Sequence, residues 1–555
     1  EYYQQALPLS RAVEDRATEA KTLSNIGGVY SALGEKQRAL EYYQQALPLS
    51  QAVDDQATEA VTLASIGAVY SALGEKQQAL EYYQQALSLL QTAGNHESEA
   101  NTLINIAIVY SDLGEKQQAL DYFQQALPVL QTVGDHKNEL KTLNNVGIIY
   151  SEFRKKEQAL AYLQQALSLA HTIGYRAEKV VILSNIGSVY DGSGENQKAL
   201  EYYQQALSLA QAVGDRPGEA KNLNNIGAVY SVLGENQKAL EYYQQALSLA
   251  QAVDDLKGEA STLNYIGLVY NALGENQKAL DYFQQALSLA RAVGYGVREA
   301  SILNNIGRVY DDLGEKQQAL DYFQQALPLA QAVDDRKGEA SILNNIGLAY
   351  DGSGENQKAL EYYQQALPLA QAVGDRGGEA ITLNNIGTIY GNLGEEKQAL
   401  NYLQQALSLA QAVGYRPREA LTLNNIGRVY DALGDNQQAL EYYQQALLLS
   451  QDVGNRTQEA GTLYNIAYVE RSRDNLQQAL TKMQASIEII EDLRTKIASP
   501  ELRQTYFSTV QIYYQFYIDL LMQLHQRNPD QGYNKLAFHI SERSRARTLL
   551  ELLTE

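Results

Sequence analysis

"AKTLSNIGGVYSALGEKQRALEYYQQALPLSQAVDDQATE", from Ala20 to Glu59, is the unit from which nearly the whole chain is built. Its opening block returns as "NTLINIAIVYSDLGEKQQAL" from Asn101, "SILNNIGRVYDDLGEKQQAL" from Ser301 and "LTLNNIGRVYDALGDNQQAL" from Leu421. The offset is always a multiple of forty residues, without insertion. A fixed period of this size is the signature of a repeat architecture. Within the unit, Leu23, Ile26, Val29, Tyr30 and Leu33 fall at helical spacing, and Gly34 stands where a left-handed helix end would sit. A second helical run starts near Glu35, carries Ala39, Leu40, Tyr43, Ala46 and Leu47, and continues past Leu49. Asp55 can cap the next first helix, with Glu59 in its first turn. Each unit therefore reads as two helices joined by a tight turn. Neither buries its apolar face alone, and stacking on the next unit completes the core.

The same spacing places first helices from about Ala20, Ala60, Ala100, Leu140, Val180, Ala220, Ala260, Ala300, Ala340, Ala380, Ala420 and Ala460. The expected organisation is an orphan second helix over residues 1–19, twelve helix pairs over 20–490, and a divergent helical segment over 491–555. Glycine recurs inside the first helix at Gly27, Gly67, Gly147, Gly187 and Gly227. It costs roughly 1 kcal/mol there against alanine, so the second helix is expected to pass close over it. The 41 tyrosines are mostly explained as packing residues copied by repetition. After Pro500 the period stops. "ELRQTYFSTVQIYYQFYIDLLMQLHQ" reads as one long amphipathic helix, "NPD" from Asn528 breaks it, and "YNKLAFHISERSRARTLLELLTE" reads as another. The chain opens inside a repeat and closes without a polar tail, so both ends read as cut edges.

Composition narrows the function classes. With 65 acidic and 44 basic residues the chain carries a net charge of -21, which disfavours nucleic acid and acidic membranes as partners. No apolar run approaches the length of a membrane span. Cysteine is absent and the five histidines are scattered, so no metal site, cofactor site or nucleophile–base constellation is expected, and the chain does not read as an enzyme. The basic cluster Arg543, Arg545 and Arg547 reads as a solvated or docking face within an acidic chain.

Leu23, Ile26, Gly27, Tyr30, Ala39, Tyr43 and Ala46 together resemble the tetratricopeptide repeat (TPR) family. The resemblance recurs in all twelve units and implies an all-α, α–α superhelix. The forty-residue unit exceeds the family's usual 34 and is similar to the long units of kinesin light chain and of the cell-polarity adaptors that bind G-protein α subunits. "HISERSRARTLLELL" from His539 resembles the segment preceding the caspase-like CHAT domain of bacterial proteins. It implies a larger cytoplasmic protein with such a domain in cis, none of whose chemistry falls on a residue of this chain.

In the family the first helices line a concave groove. That puts positions 2, 5, 6, 9, 12 and 13 of each unit, counted from Ala20, on the binding face. Position 6 is asparagine in ten units, among them Asn105, Asn145, Asn185, Asn225, Asn305, Asn345, Asn385 and Asn425. Asparagine is a poor helix former, so the row needs a reason. In one reading the amides clamp the backbone of an extended peptide, since each offers donor and acceptor together. In the other they bond between adjacent units or are copied by duplication. Position 9 is the most varied, which is where selectivity could be written and equally what drift produces. Arg308 and Arg428 there could meet carboxylates, or be neutralised by Asp311, Asp312 and Asp431. Asp112, Glu152, Asp191 and Asp351 make the groove edge acidic, which suits a neutral or partly basic peptide. The expected function is a scaffold binding a peptide or partner protein. The alternative is a purely structural or self-assembling array.

Overall fold

The computed structural model describes residues 2–496 and 500–552, and every regular element among them is helical. The chain divides into two compact units, Glu1–Leu233 and Gly234–Glu555. The first holds twelve α-helices, from Tyr2–Ala12 to Arg216–Val232, and the second fifteen, from Asn236–Ala252 to Tyr533–Leu552. Within each unit consecutive helices pack against one another as stacked pairs, the all-α solenoid expected from the sequence.

One repeat of the second unit shows why the sequence folds this way. Its first helix is Arg336–Gly352. The Asp335 carboxylate accepts from the Gly338 N–H at 2.9 Å, which satisfies one orphan donor of the first turn, and Glu339 adds negative charge there. Gly354, at φ +77°, turns the chain into the second helix, Asn356–Ala372. Ala359, Leu360 and Tyr363 of that helix pack on Ile386 and Ile389 of the next first helix. Gly347 is required by close approach: a Cβ there would lie 2.5 Å from the Tyr363 ring. In two repeats Ala107 and Ala467 fill this slot, packed in the same clusters as Phe123 and Met483.

The tyrosines pack as expected. Tyr30 stacks on Tyr42 with centroids 5.3 Å apart, and Tyr350 on Tyr362 at 5.6 Å, each pair joining the two helices of one repeat. The first helices open about four residues earlier than the apolar spacing indicates, at Arg16 and Gln56 rather than near Ala20 and Ala60. The reason is local, because the Asp15 and Asp55 caps start the helix on polar residues that hydrophobic periodicity does not register. Arg154 and Asp474 stand in the left-handed turn slot of their repeats at φ 55° and 68°, where the other repeats carry glycine. In the second unit, helix Pro500–Arg527 packs on Leu476–Lys496 through Val510, Tyr514, Tyr517 and Leu521, and a 3-10 turn at Pro529–Gln531 separates it from Tyr533–Leu552.

Candidate functional site

The face that first helices present is defined by their heptad-like spacing. Leu23, Ile26 and their equivalents turn inward to the core, which leaves positions 6, 9 and 12 on the flank where successive first helices meet. Position 9 is solvent-accessible in both units. Ile108 is 40% exposed and Leu348 47%, and Arg308 and Arg428 are exposed beside the row.

The asparagine row divides into three groups. Asn185 donates from Nδ2 to Asn144 Oδ1 at 2.8 Å, and Asn225 to Ser184 Oγ at 3.3 Å. In the second unit Asn305 donates to Asn264 at 2.9 Å, Asn345 to Asn304 at 2.8 Å, and Asn425 to Asn384 at 3.1 Å. Each bond joins position 6 to position 5 of the preceding repeat, so inter-repeat bonding is part of the row's role. Asn305 and Asn425 are also nearly covered, at 8% exposure each. Asn385 receives a long bond from Asn384 at 3.4 Å, while Asn344, the residue opposite it, gives its N–H groups to Ala340 and Thr382. Asn105 and Asn145 form the third group. Each is half-buried and makes no side-chain hydrogen bond among the described residues. The physical reason is the residue opposite, which is Ala64 for Asn105 and Ile104 for Asn145, neither of which offers an acceptor.

The acidic edge also sorts itself. Lys76 pairs with Asp112, and Lys116 with Glu152 at 2.7 Å, so those two acids are neutralised from the preceding repeat. Lys316 pairs with Asp311 at 2.8 Å. Asp191, Asp351 and Asp431 have no ion pair among the described residues, and burial pushes each carboxyl above the usual range. For Asp351 the Arg428 charge opposes that rise. Arg308 acts on its neighbour Asp312, whose carboxyl burial nonetheless holds up. Arg428 acts two repeats back on Asp351, while the carboxyl of Asp431, three residues on, is shifted by burial alone.

Asn425 and Arg428 are brought together in a pocket of about 110 Å³ in the second unit, whose wall also includes Thr388, Asn392, Glu396, Leu403 and Val429. Such a pocket can take one small polar side chain. A shallow groove of about 590 Å³ in the first unit, lined by Lys179, Glu201, Gln205 and Ser208, draws mostly on a second helix and has no counterpart in the motif reading. Among the described residues no group of three or more His, Asp or Glu is placed to hold a metal ion, and no helix is long and apolar enough to cross a membrane. Of the C-terminal basic cluster, Arg543 lies 3.3 Å from Glu491; Arg545 and Arg547 fall outside the described side chains.

A family model described as Tetratricopeptide repeat matches residues 1–52, 20–92, 58–132, 178–252, 258–332, 322–372, 338–412 and 378–452. A second model of the same description matches 140–173, and together they cover more than half of the chain. No curated protein matches it. Among solved structures, BtubC (BKLC) from P. vanneervenii is 22% identical over 40% of this chain and 92% of its own, with a TM-score of 0.35. The apo form of RapI is 19% identical over 50% of this chain and 98% of its own, with a TM-score of 0.42. A Rap protein complexed with competence and sporulation factor is 16% identical over 64% of this chain and 99% of its own, with a TM-score of 0.44.

Proposed function

We propose that this chain, which belongs to the tetratricopeptide repeat family, holds an extended peptide or a segment of a partner protein along the position-6 and position-9 faces of its first helices. Arrays of this family are protein- and peptide-binding scaffolds, and the chain is a scaffold of that general kind. The observation that carries the finer reading is the pair Asn105 and Asn145. Asparagine inside a helix costs up to about 0.7 kcal/mol against alanine. At most other positions of the row an inter-repeat hydrogen bond offsets that cost. At Asn105 and Asn145 the side chain opposite, Ala64 or Ile104, offers no acceptor, and a ligand's peptide group supplies the compensating partner. Asn185, Asn225, Asn345 and Asn385 are half-exposed and extend the same line within their own units. Arg308 and Arg428 supply selectivity beside it.

The proposal extends to the setting of the array. Residues 1–19, 20–490 and 491–555 are taken as a lone second helix, the array and a divergent helical segment. The forty-residue unit supports a kinesin-light-chain-like groove. "HISERSRARTLLELL" from His539 supports a recruiting arm of a larger cytoplasmic CHAT-type protein.

Selection from a library of capped twelve-residue peptides tests the groove. The chain is expected to enrich a defined set, and the double variant Asn105→Ala/Asn145→Ala to bind that set roughly tenfold or more weakly while its helices are no less protected from hydrogen exchange than the parent's. Failure of the chain to enrich any peptide, or equal affinity in the double variant, overturns the reading.

A further inference from the structure

Acids at the edge of the groove face are answered by a lysine wherever one reaches them, as at Asp112, Glu152 and Asp311. Asp351 is different. Lys316 passes directly beside its helix end, so close that a Cβ on Gly352 would lie 3.1 Å from the lysine Cε, yet its Nζ turns to Asp311 at 2.8 Å. In the repeat of Asp351 itself, the slot of Lys316 is filled by Asn356. Among the described residues no hydrogen bond or ion pair engages the Asp351 carboxylate. Arg428 is the opposite charge that it feels, from beyond ion-pair distance.

One helix turn before Asp351, Gly347 packs on Tyr363, which is at 0% exposure and has its hydroxyl unpartnered. Its ring is wedged against Gly347, which fixes where the hydroxyl points. Burial, and after it the charges of Asp351 and Asp311, push the phenol up. Two polar groups that folded proteins normally satisfy are therefore both left open in this repeat. The slot is Phe323 in the repeat where Asp311 has its lysine.

We propose that Asp351, backed by Tyr363, is a subsite for the cationic side chain of a lysine or arginine in the bound peptide. The inference rests on the peptide-groove reading and adds the chemistry of one ligand position. The ligand's N–H groups donate to the Asp351 carboxylate from the solvent side, and the Tyr363 hydroxyl, unpartnered in the free chain, is drawn to the same carboxylate on binding. Hydrogen bonds to charged groups are the stronger class, most of all where water is partly excluded. Leu348, three residues earlier and 47% exposed, provides an apolar surface for the adjacent ligand residue or for the methylenes of the lysine itself.

The test is a positional-scanning library of capped hexapeptides, read against the full chain, Asp351→Asn and Tyr363→Phe. The chain is expected to enrich lysine or arginine at one position. It should bind the selected lysine peptide roughly tenfold or more tightly than its norleucine counterpart. Asp351→Asn should bind both peptides alike, at the affinity of the norleucine peptide. Tyr363→Phe, which copies the natural Phe323, should retain part of the preference. Enrichment without a basic position, or a lysine preference that survives in Asp351→Asn, overturns the subsite and leaves the groove reading standing. No enrichment of any peptide overturns both. A Tyr363→Phe preference equal to that of the parent removes the hydroxyl from the subsite. Thermal melting of each variant establishes that losses are not losses of fold.

Discussion

The same substitution at the same helix position should have opposite consequences in two repeats. Asn345 spends an N–H on Asn304 at 2.8 Å, across the junction between repeats, while Asn105 faces Ala64 and spends none. Replacing either by alanine removes the helix penalty of asparagine, a gain of about 0.6 kcal/mol. At Asn105 nothing opposes that gain, so Asn105→Ala should stabilise its helix, His96–Asp112. At Asn345 the lost hydrogen bond costs about 1 kcal/mol, so Asn345→Ala should leave Arg336–Gly352 slightly weaker than in the parent. The propensity contribution cancels between the two sites, and the difference isolates the inter-repeat bond. Because stability in a stacked array is local and additive, a single unfolding midpoint is the wrong readout. Hydrogen exchange of peptides from the two helices, each compared with the parent, is the right one. Protection should rise in the first and fall in the second, the two changes differing by roughly fivefold for about 1 kcal/mol. Equal changes in both helices would refute the reasoning, since the row would then carry no bonding difference between repeats.

Three further outcomes follow from single residues. Pro368 sits exposed inside helix Asn356–Ala372, in a slot that other repeats fill with Ser208 or Ser248; Pro368→Ser restores an N–H to the helix and should stabilise that repeat by about 1–3 kcal/mol, read by local hydrogen exchange. Arg154 holds a left-handed turn at φ 55° that glycine adopts freely, so Arg154→Gly should stabilise its turn by about 1 kcal/mol, measured in the same way. Asp351 has a folded-state pKa raised by burial above the 3.8 of the free side chain. Its contribution to stability is therefore full below pH 3.8 and is lost as pH rises through the folded value, so Asp351→Asn should melt higher than the parent at pH 7 and the gap should close toward pH 3. A gap that is constant with pH would show that the carboxylate is not strained by its surroundings.

Much of the fold was legible in the repeat. The forty-residue period, the spacing of Leu23, Ile26 and Tyr30, the turn at Gly34 and the cap at Asp55 define two helices per unit, and the recurring glycines anticipate the close approach that Gly347 makes to Tyr363. Apolar spacing alone put the first-helix starts near Ala20 and Ala60, because periodicity reports only the buried face, whereas the cap read at Asp55 marks the start that the structure shows at Gln56. The candidate site was legible as a row of residue types, but not as a set of partners. Which asparagines are committed depends on the residue forty-one positions earlier, so that Asn185 finds Asn144 while Asn145 meets Ile104. The signal is in the sequence, yet it becomes readable only when the stacking register is known. The same holds for the acidic edge, where Lys76 and Lys116 cancel Asp112 and Glu152 from thirty-six residues away. The orphaned hydroxyl of Tyr363 had no sequence signal at all, since tyrosine fills that slot in repeats with and without a neighbouring acid.

The claim that a peptide lies on the first-helix face is tested most directly by site-specific cross-linking. A photoreactive benzoylphenylalanine is placed in turn at Leu348, on the exposed ninth position, and at Glu361, exposed on the second helix of the same repeat. A peptide selected by the chain should cross-link from position 348 and not from 361, with the 348 adduct suppressed by excess unlabelled peptide. Cross-linking from 361 alone, or equally from both, would contradict the account.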